Sequence, residues 1–274
     1  MFLFMRRCRT GTGNGLPLCV GGFRVVFHSV AMRVSVETVS YVVLCLAEDG
    51  KGVLVNHIGS RFACFACGVV INSFAIALIT KGDMGTSQIS SVPYVLSLRF
   101  PLSFGMMTFI MNMVFIALQV VLLRRGFHPV QLLQILVNVL FSAMIDVGMS
   151  LLSLLTPTTL WQRLLCVAAG CCIMGFGIVI EVSPNVLMVP GEGIVRALSI
   201  VAHAKYGTTK IVFDITLIAI AVVLSFAFFG TLRGVGLGTV ISALCVGSVI
   251  NGVNRVFAFP ERIRSLALAT DRNR

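Results

Sequence analysis

Six uncharged, largely apolar runs set the limits within which this chain can fold. Nineteen residues separate Arg61 from Lys81, twenty-four Arg99 from Arg124, and twenty Arg125 from Asp146, with an apolar continuation to Leu155. Seventeen then lie between Arg163 and Glu181, eighteen between Asp214 and Arg233, and twenty-one between Arg233 and Arg255. The hydrocarbon core of a bilayer is about 30 Å thick and a helical residue advances about 1.5 Å, so about 20 residues cross it. Backbone groups in lipid must satisfy one another, which makes such runs helices. The expected fold is therefore an all-α membrane protein with six transmembrane helices. Composition supports this at the deciding point: 57% of residues are apolar and 11% charged, with a mean hydropathy of +1.00, against about 25% charged in soluble domains. A soluble enzyme, a disordered region, a collagen and a small disulfide scaffold are set aside on that ground.

Charge gives an orientation. The formal net charge is +11, but the basic residues stand at the ends of the apolar runs, a pattern that fits membrane topology rather than nucleic acid. With the segment before the first span in the cytoplasm, 17 Lys and Arg fall on that side and 4 on the other, because basic loops resist translocation. Both termini are expected in the cytoplasm. The nine cysteines, mostly inside apolar stretches, read as small buried hydrophobes with reduced thiols.

Three regions follow. Residues 1–57 read as a poorly ordered basic tail, with Arg6, Arg7 and Arg9 before Gly11, Gly13 and Gly15. They lack a signal-peptide pattern, an internal start such as Met32 is conceivable, and a seventh helix near residues 36–47 is the alternative. Residues 58–258 form the six-helix domain, and 259–274 a basic cytoplasmic tail.

The membrane domain reads as two copies, one over about 61–155 and one over about 163–257. In each, a first span is followed by a Gly/Ser/Pro-interrupted stretch, a short helix-like segment (Tyr94–Arg99, Ile194–His203), an aromatic-Gly pair (Phe104-Gly105, Tyr206-Gly207) and a second span. Asn112 and Asp214 each lie seven residues past those glycines, and each third span follows an Arg-Gly pair. Three spans per copy is odd, so the copies enter the membrane from opposite sides as inverted repeats. Transporters built this way place their sites where interrupted segments of the two halves meet. Residues 84–100 and 184–204 are then re-entrant segments or, alternatively, amphipathic surface loops.

Polar residues at membrane depth are the candidate site. Gln134, Asn138, Ser142, Asp146 and Ser150 recur every four residues on one face of the third span, and Thr108, Asn112 and Gln119 share a face of the second. In the sixth, Thr239 pairs with Ser242 and Asn251 with Asn254. Such faces either line a solute path or hold helices together by hydrogen bonds. Asp146 stands out, its only nearby ionisable neighbour along the chain being Arg163; it carries a proton or cation, or snorkels. Lys210 and Asp214 are spaced to pair on one helix face. Glu192, after Pro190, suits a helix first turn or a ligand contact. The path candidates are Asn72, Thr86, Ser87, Ser90, Asn112, Asn138, Asp146, Glu192, Asp214 and Thr239.

Catalytic signatures are missing: no H-E-x-x-H, G-x-S-x-G or phosphate-loop pattern occurs, and the four histidines lie outside the spans. Cys64 and Cys67 have no second pair for a metal, and Gly234, Gly236 and Gly238 suit close helix packing better than a dinucleotide. No enzyme, cofactor, metal or nucleic-acid partner is expected; the bilayer, a small solute and a second copy of the chain are.

Asn72-Ser73, Gly85-Thr86-Ser87 with Ser90-Ser91-Val92-Pro93, Ile145-Asp146, Pro190-Gly191-Glu192, Phe213-Asp214 and Gly238-Thr239-Val240-Ile241 together resemble the YczE/YyaS/YitT group of bacterial integral membrane proteins. The resemblance runs from about Arg61 to Phe257, about seventy per cent of the chain, and implies a protein of the bacterial cytoplasmic membrane without implying a substrate. The functional expectation is a small-solute carrier or exporter, ion-coupled through Asp146; the alternative is an accessory protein that binds a partner or a second copy of itself.

Overall fold

The computed structural model describes residues 57–126 and 129–256. The expected tails, apart from His57, and the alternative helix at 36–47 lie outside these residues. The described residues contain helices and no strand. In chain order the α-helices are α1 (His57–Lys81), α2 (Ser91–Arg99), α3 (Phe104–Leu123), α4 (Leu133–Leu151), α5 (Leu160–Val182), α6 (Pro190–Val201), α7 (Tyr206–Phe229) and α8 (Leu237–Val256). Six of them, all but α2 and α6, are long and apolar enough to cross a membrane; they overlap the six apolar runs, but Asp146 falls inside α4, Arg163 and Glu181 inside α5 and Asp214 inside α7 instead of at their ends.

The short helices α2 and α6 are set by their sequence. Each follows a break where a non-glycine residue takes a left-handed backbone, Asp83 (φ 53°) after α1 and Asn185 (φ 48°) after α5. Asp and Asn are the side chains that tolerate this region best. Pro190 at the first position of α6 has no N–H to leave unpaired and a φ suited to helix.

Packing follows a pattern that exchanges the halves. α1 and α5 form the most extensive interface; α1 packs on α4 as α5 packs on α8; and α2 packs on α3 and α7 as α6 packs on α7 and α3. The interrupted segments are therefore held inside the bundle. Thr86, Ser87, Ser90 and Ser91 are buried, as are Pro190, Gly191 and Gly193. One core cluster joins the two halves: Val92 and Val95 of α2, Phe115 of α3, Ile194 of α6, and Leu217 and Ala221 of α7.

The correspondence extends to single contacts. At the α1–α5 crossing a Cβ at Gly68 would meet the backbone of Glu181, and a Cβ at Gly170 would meet Ile79. The offset that carries Gly68 to Gly170 also carries Ile79 to Glu181, Asp83 to Asn185 and Gly105 to Gly207. One pair breaks the pattern. α3 packs closely on α4, whereas α7 makes no comparable interface with α8.

Candidate functional site

Asp146 sits where α4 meets the start of α3. Its Oδ1 accepts the Gly105 backbone N–H at 2.8 Å, and its Oδ2 accepts the Ser103 hydroxyl at 2.6 Å. Ser103 in turn caps α3 by accepting the Met106 N–H. A carboxylate at a helix N-terminus satisfies orphan donors and meets the positive end of the helix dipole. Arg163, its neighbour along the chain, pairs instead with Asp83 at 3.2 Å.

This closure is tight at Gly105. A Cβ there would run into the Ser142 carbonyl oxygen and the Asp146 carboxyl group. Its counterpart Gly207, which opens α7, has no such neighbour within 4 Å among the described residues. The α8 residue that corresponds to Asp146, through the offset that takes Arg125-Gly126 to Arg233-Gly234, is Asn254, and it is exposed. Asn251 is exposed too, so this pair does not face the bundle as Thr239 and Ser242 do.

Between α3 and α4 the amides form a network. Asn112 Nδ2 donates to Asn138 Oδ1 at 2.8 Å, Asn138 Nδ2 donates to the Phe109 carbonyl at 3.1 Å, and the Ser142 hydroxyl donates to Asn138 Oδ1 at 3.3 Å. All three side chains are buried. The two bonds made by the Asn112 and Asn138 amide nitrogens cross between the helices and fasten them together. Thr108 bonds back to the Phe104 carbonyl, and Gln119 reaches the Pro190 carbonyl at 3.1 Å, tying α3 to the start of α6.

Around the first interrupted segment, Thr80 donates to Thr86 at 2.8 Å, and Gln88 reaches the Thr239 carbonyl and the Ser242 hydroxyl at 3.4 and 3.5 Å. The Gly238 N–H bonds the Met84 carbonyl at 2.8 Å, so the glycines before Thr239 do let the α8 backbone approach that loop. Thr239 is fully buried and its hydroxyl has no partner. A cleft of about 550 Å³ opens beside these residues, lined by Asp83, Met84, Gly85, Tyr94, Arg233 and Gly236 among others. Burial, and secondarily the charge of Asp83, hold the Tyr94 phenol above its ordinary range.

One buried carboxylate was not among the sequence candidates. Glu181, next to last in α5, is 6% exposed and accepts a hydrogen bond from Asn72 Nδ2. Asn72 is 4% exposed and its Oδ1 has no partner among the described residues. No Lys, Arg or His pairs with Glu181 among the described residues. Glu192 is half-buried in the first turn of α6. Arg61 anchors the same region, donating to the Pro184 carbonyl at 3.1 and 2.9 Å and to that of Asn185 at 3.3 Å. Asp214 pairs with Lys210 at 3.5 Å, as their spacing predicts.

The candidates thus separate into an amide seam (Asn112, Asn138), a helix-capping carboxylate (Asp146), separate buried hydroxyls in and beside the first interrupted segment (Thr86, Ser87, Ser90, Thr239) and a buried acid–amide pair (Glu181, Asn72), with Glu192 half-buried in the first turn of α6 and Asp214 in a local ion pair. Among the described residues no three His, Cys, Asp or Glu side chains converge as metal ligands would.

Six apolar spans with two interrupted segments packed between them define a multi-pass, all-α membrane protein. The chain belongs to DUF6198, a family of unknown function, whose profile matches residues 59–255. No curated protein and no solved structure matches it.

Proposed function

We propose that this protein is a small-solute carrier of two inverted three-helix halves that close opposite ends of the bundle in turn. One observation carries the reading: equivalent glycines stand in unequal surroundings, Gly105 sealed by Ser142 and Asp146, Gly207 clear. A static bundle of two copies has no reason to leave one seam open, whereas a carrier needs the two ends to differ and to exchange. The exchanged packing of α2 and α6 supports the inverted repeat, since interrupted segments at the meeting of two halves are where such carriers bind solute. The distribution of Lys and Arg supports both termini in the cytoplasm, so the open end is cytoplasmic. The resemblance to YczE/YyaS/YitT proteins supports the bacterial cytoplasmic membrane.

Paired cysteines test this in a background without the native ones. Gly207→Cys with Asn254→Cys is expected to cross-link in membranes as the open seam closes, and to stop doing so once Ser103→Cys with Asp146→Cys has locked the opposite end. A Gly207/Asn254 pair that never cross-links, with the other pair always locked, overturns the carrier. Metabolite profiling of cells with and without the protein then identifies the solute. One observation favours an accessory protein or homo-oligomer instead: Ser248, Asn251 and Asn254 lie exposed on α8, where lipid would meet unpaired amides. A stable partner or dimer lost on Asn251→Leu, without seam exchange, would establish that reading.

A further inference from the structure

We propose that Glu181, held by Asn72, is a buried proton-binding site within the helix bundle and supplies the coupling ion of the carrier. The argument begins with charge. A carboxylate taken out of water must be paired, coordinated or neutralised, and among the described residues Glu181 lacks the first of these remedies. The groups that face it are known from each side. α1 offers Gly68 and Asn72; the acid carried by α6 is Glu192, half-buried in its first turn. Arg61, at the start of α1, is occupied by the Pro184 and Asn185 carbonyls, and Arg255 of α8 is exposed.

Asn72 distinguishes a proton from a metal ion. A carboxamide presents a donor and an acceptor side by side. An ionised Glu181 uses only the donor, leaving Asn72 Oδ1 buried and unpaired, as it stands here. A protonated Glu181 satisfies both: its carbonyl oxygen accepts from Nδ2, its O–H donates to Oδ1, and the ring closes. A sodium ion needs several converging oxygens, yet Asn72 turns an N–H toward the acid. One proton in and one proton out is the chemistry that fits.

The neighbouring half serves as a comparison. Where the α1–α5 crossing brings Gly170 against Ile79, its mirror brings Gly68 against Glu181. The fold accepts an aliphatic side chain at this crossing, so packing does not require the acid.

Infrared spectroscopy of the full chain in lipid nanodiscs at neutral pH tests the site. A protonated-carboxyl band is expected that shifts with carboxyl-labelled glutamate, is lost in Glu181→Gln, moves to higher wavenumber in Asn72→Leu and survives Glu192→Gln. Glu181→Ile, which copies the other half, gives the same loss if Glu181→Gln does not fold. Absence of the band from the wild type, its persistence in both Glu181 variants, or its abolition by sodium at constant pH overturns the proton site. The coupling role rests on the carrier reading. Cross-linking of the Gly207/Asn254 pair should depend on pH and lose that dependence in Glu181→Gln. Dependence retained without Glu181 overturns the coupling and leaves the site; a pair that never cross-links, with the band intact, overturns the carrier alone.

Discussion

Asn138 shows how much one side chain can fasten. It accepts from Asn112 and Ser142 and donates to the Phe109 carbonyl, so Asn138→Leu strands the Asn112 amide as well as removing its own bonds. The cost should be about 1–3 kcal/mol, read as a lower midpoint in detergent unfolding. Asn112→Leu added to it should recover part of the loss, because an apolar pair leaves no buried group unpaired. A neutral single variant would show that lipid-exposed alternatives satisfy these amides equally well. Asp146→Ala should remove about 1 kcal/mol of helix capping, enough to shift the seam equilibrium about fivefold. The measurement is increased cross-linking of the Gly207/Asn254 pair, with Asp146→Asn showing a smaller rise because the Gly105 N–H keeps an acceptor. Legibility at this scale was uneven. Asn112 and Asn138 are visible from their spacing as groups that lipid should not meet. The role of Asp146 is not, since its partners Ser103 and Gly105 are more than forty residues away and Arg163, nearer along the chain, pairs elsewhere. Glu181 is missed because a charge at the edge of an apolar run marks a boundary as readily as a site. The signal was there: the other half carries Ile79 at the matching position.

Helices were the most legible level. Uncharged stretches of about 20 residues leave a chain in lipid little choice, and all six correspond to observed helices. Their mutual packing is harder to read, because lipid-facing and protein-facing positions are both apolar and the periodic signal used in soluble helices fades. The short helices α2 and α6 can be located from glycine and proline, but their burial against the opposite half's second span depends on tertiary structure. Two glycine substitutions separate packing from propensity. Gly68→Leu should force α1 from α5 at the most extensive interface in the molecule and prevent recovery of folded protein, judged by monodispersity in detergent. Gly247→Ala, in α8 with nothing within 4 Å, should instead be neutral or raise the melting temperature slightly, since glycine in a helix interior costs about 0.5–1 kcal/mol relative to alanine.

For the whole molecule, the even number of spans and the one-sided distribution of basic residues make a single prediction. Reporter fusions to residues before Arg61 and after Arg255 should be active in the same compartment, and a fusion in the Thr156–Thr159 loop in the other. Ends reported in different compartments would remove both the six-span topology and the inversion of the halves.

The mismatch at the α1–α5 crossing lets the protein serve as its own reference. Met174 stands where Asn72 does and Ile79 where Glu181 does, so Asn72→Met with Glu181→Ile rewrites one crossing in the wording of the other. Replacing a buried polar pair by packed apolar groups is often neutral or stabilising by about 1–4 kcal/mol. A chain so edited should melt no lower than its parent while answering no longer to acid or alkali. Durability and responsiveness would then be seen to reside in different atoms of the same few side chains.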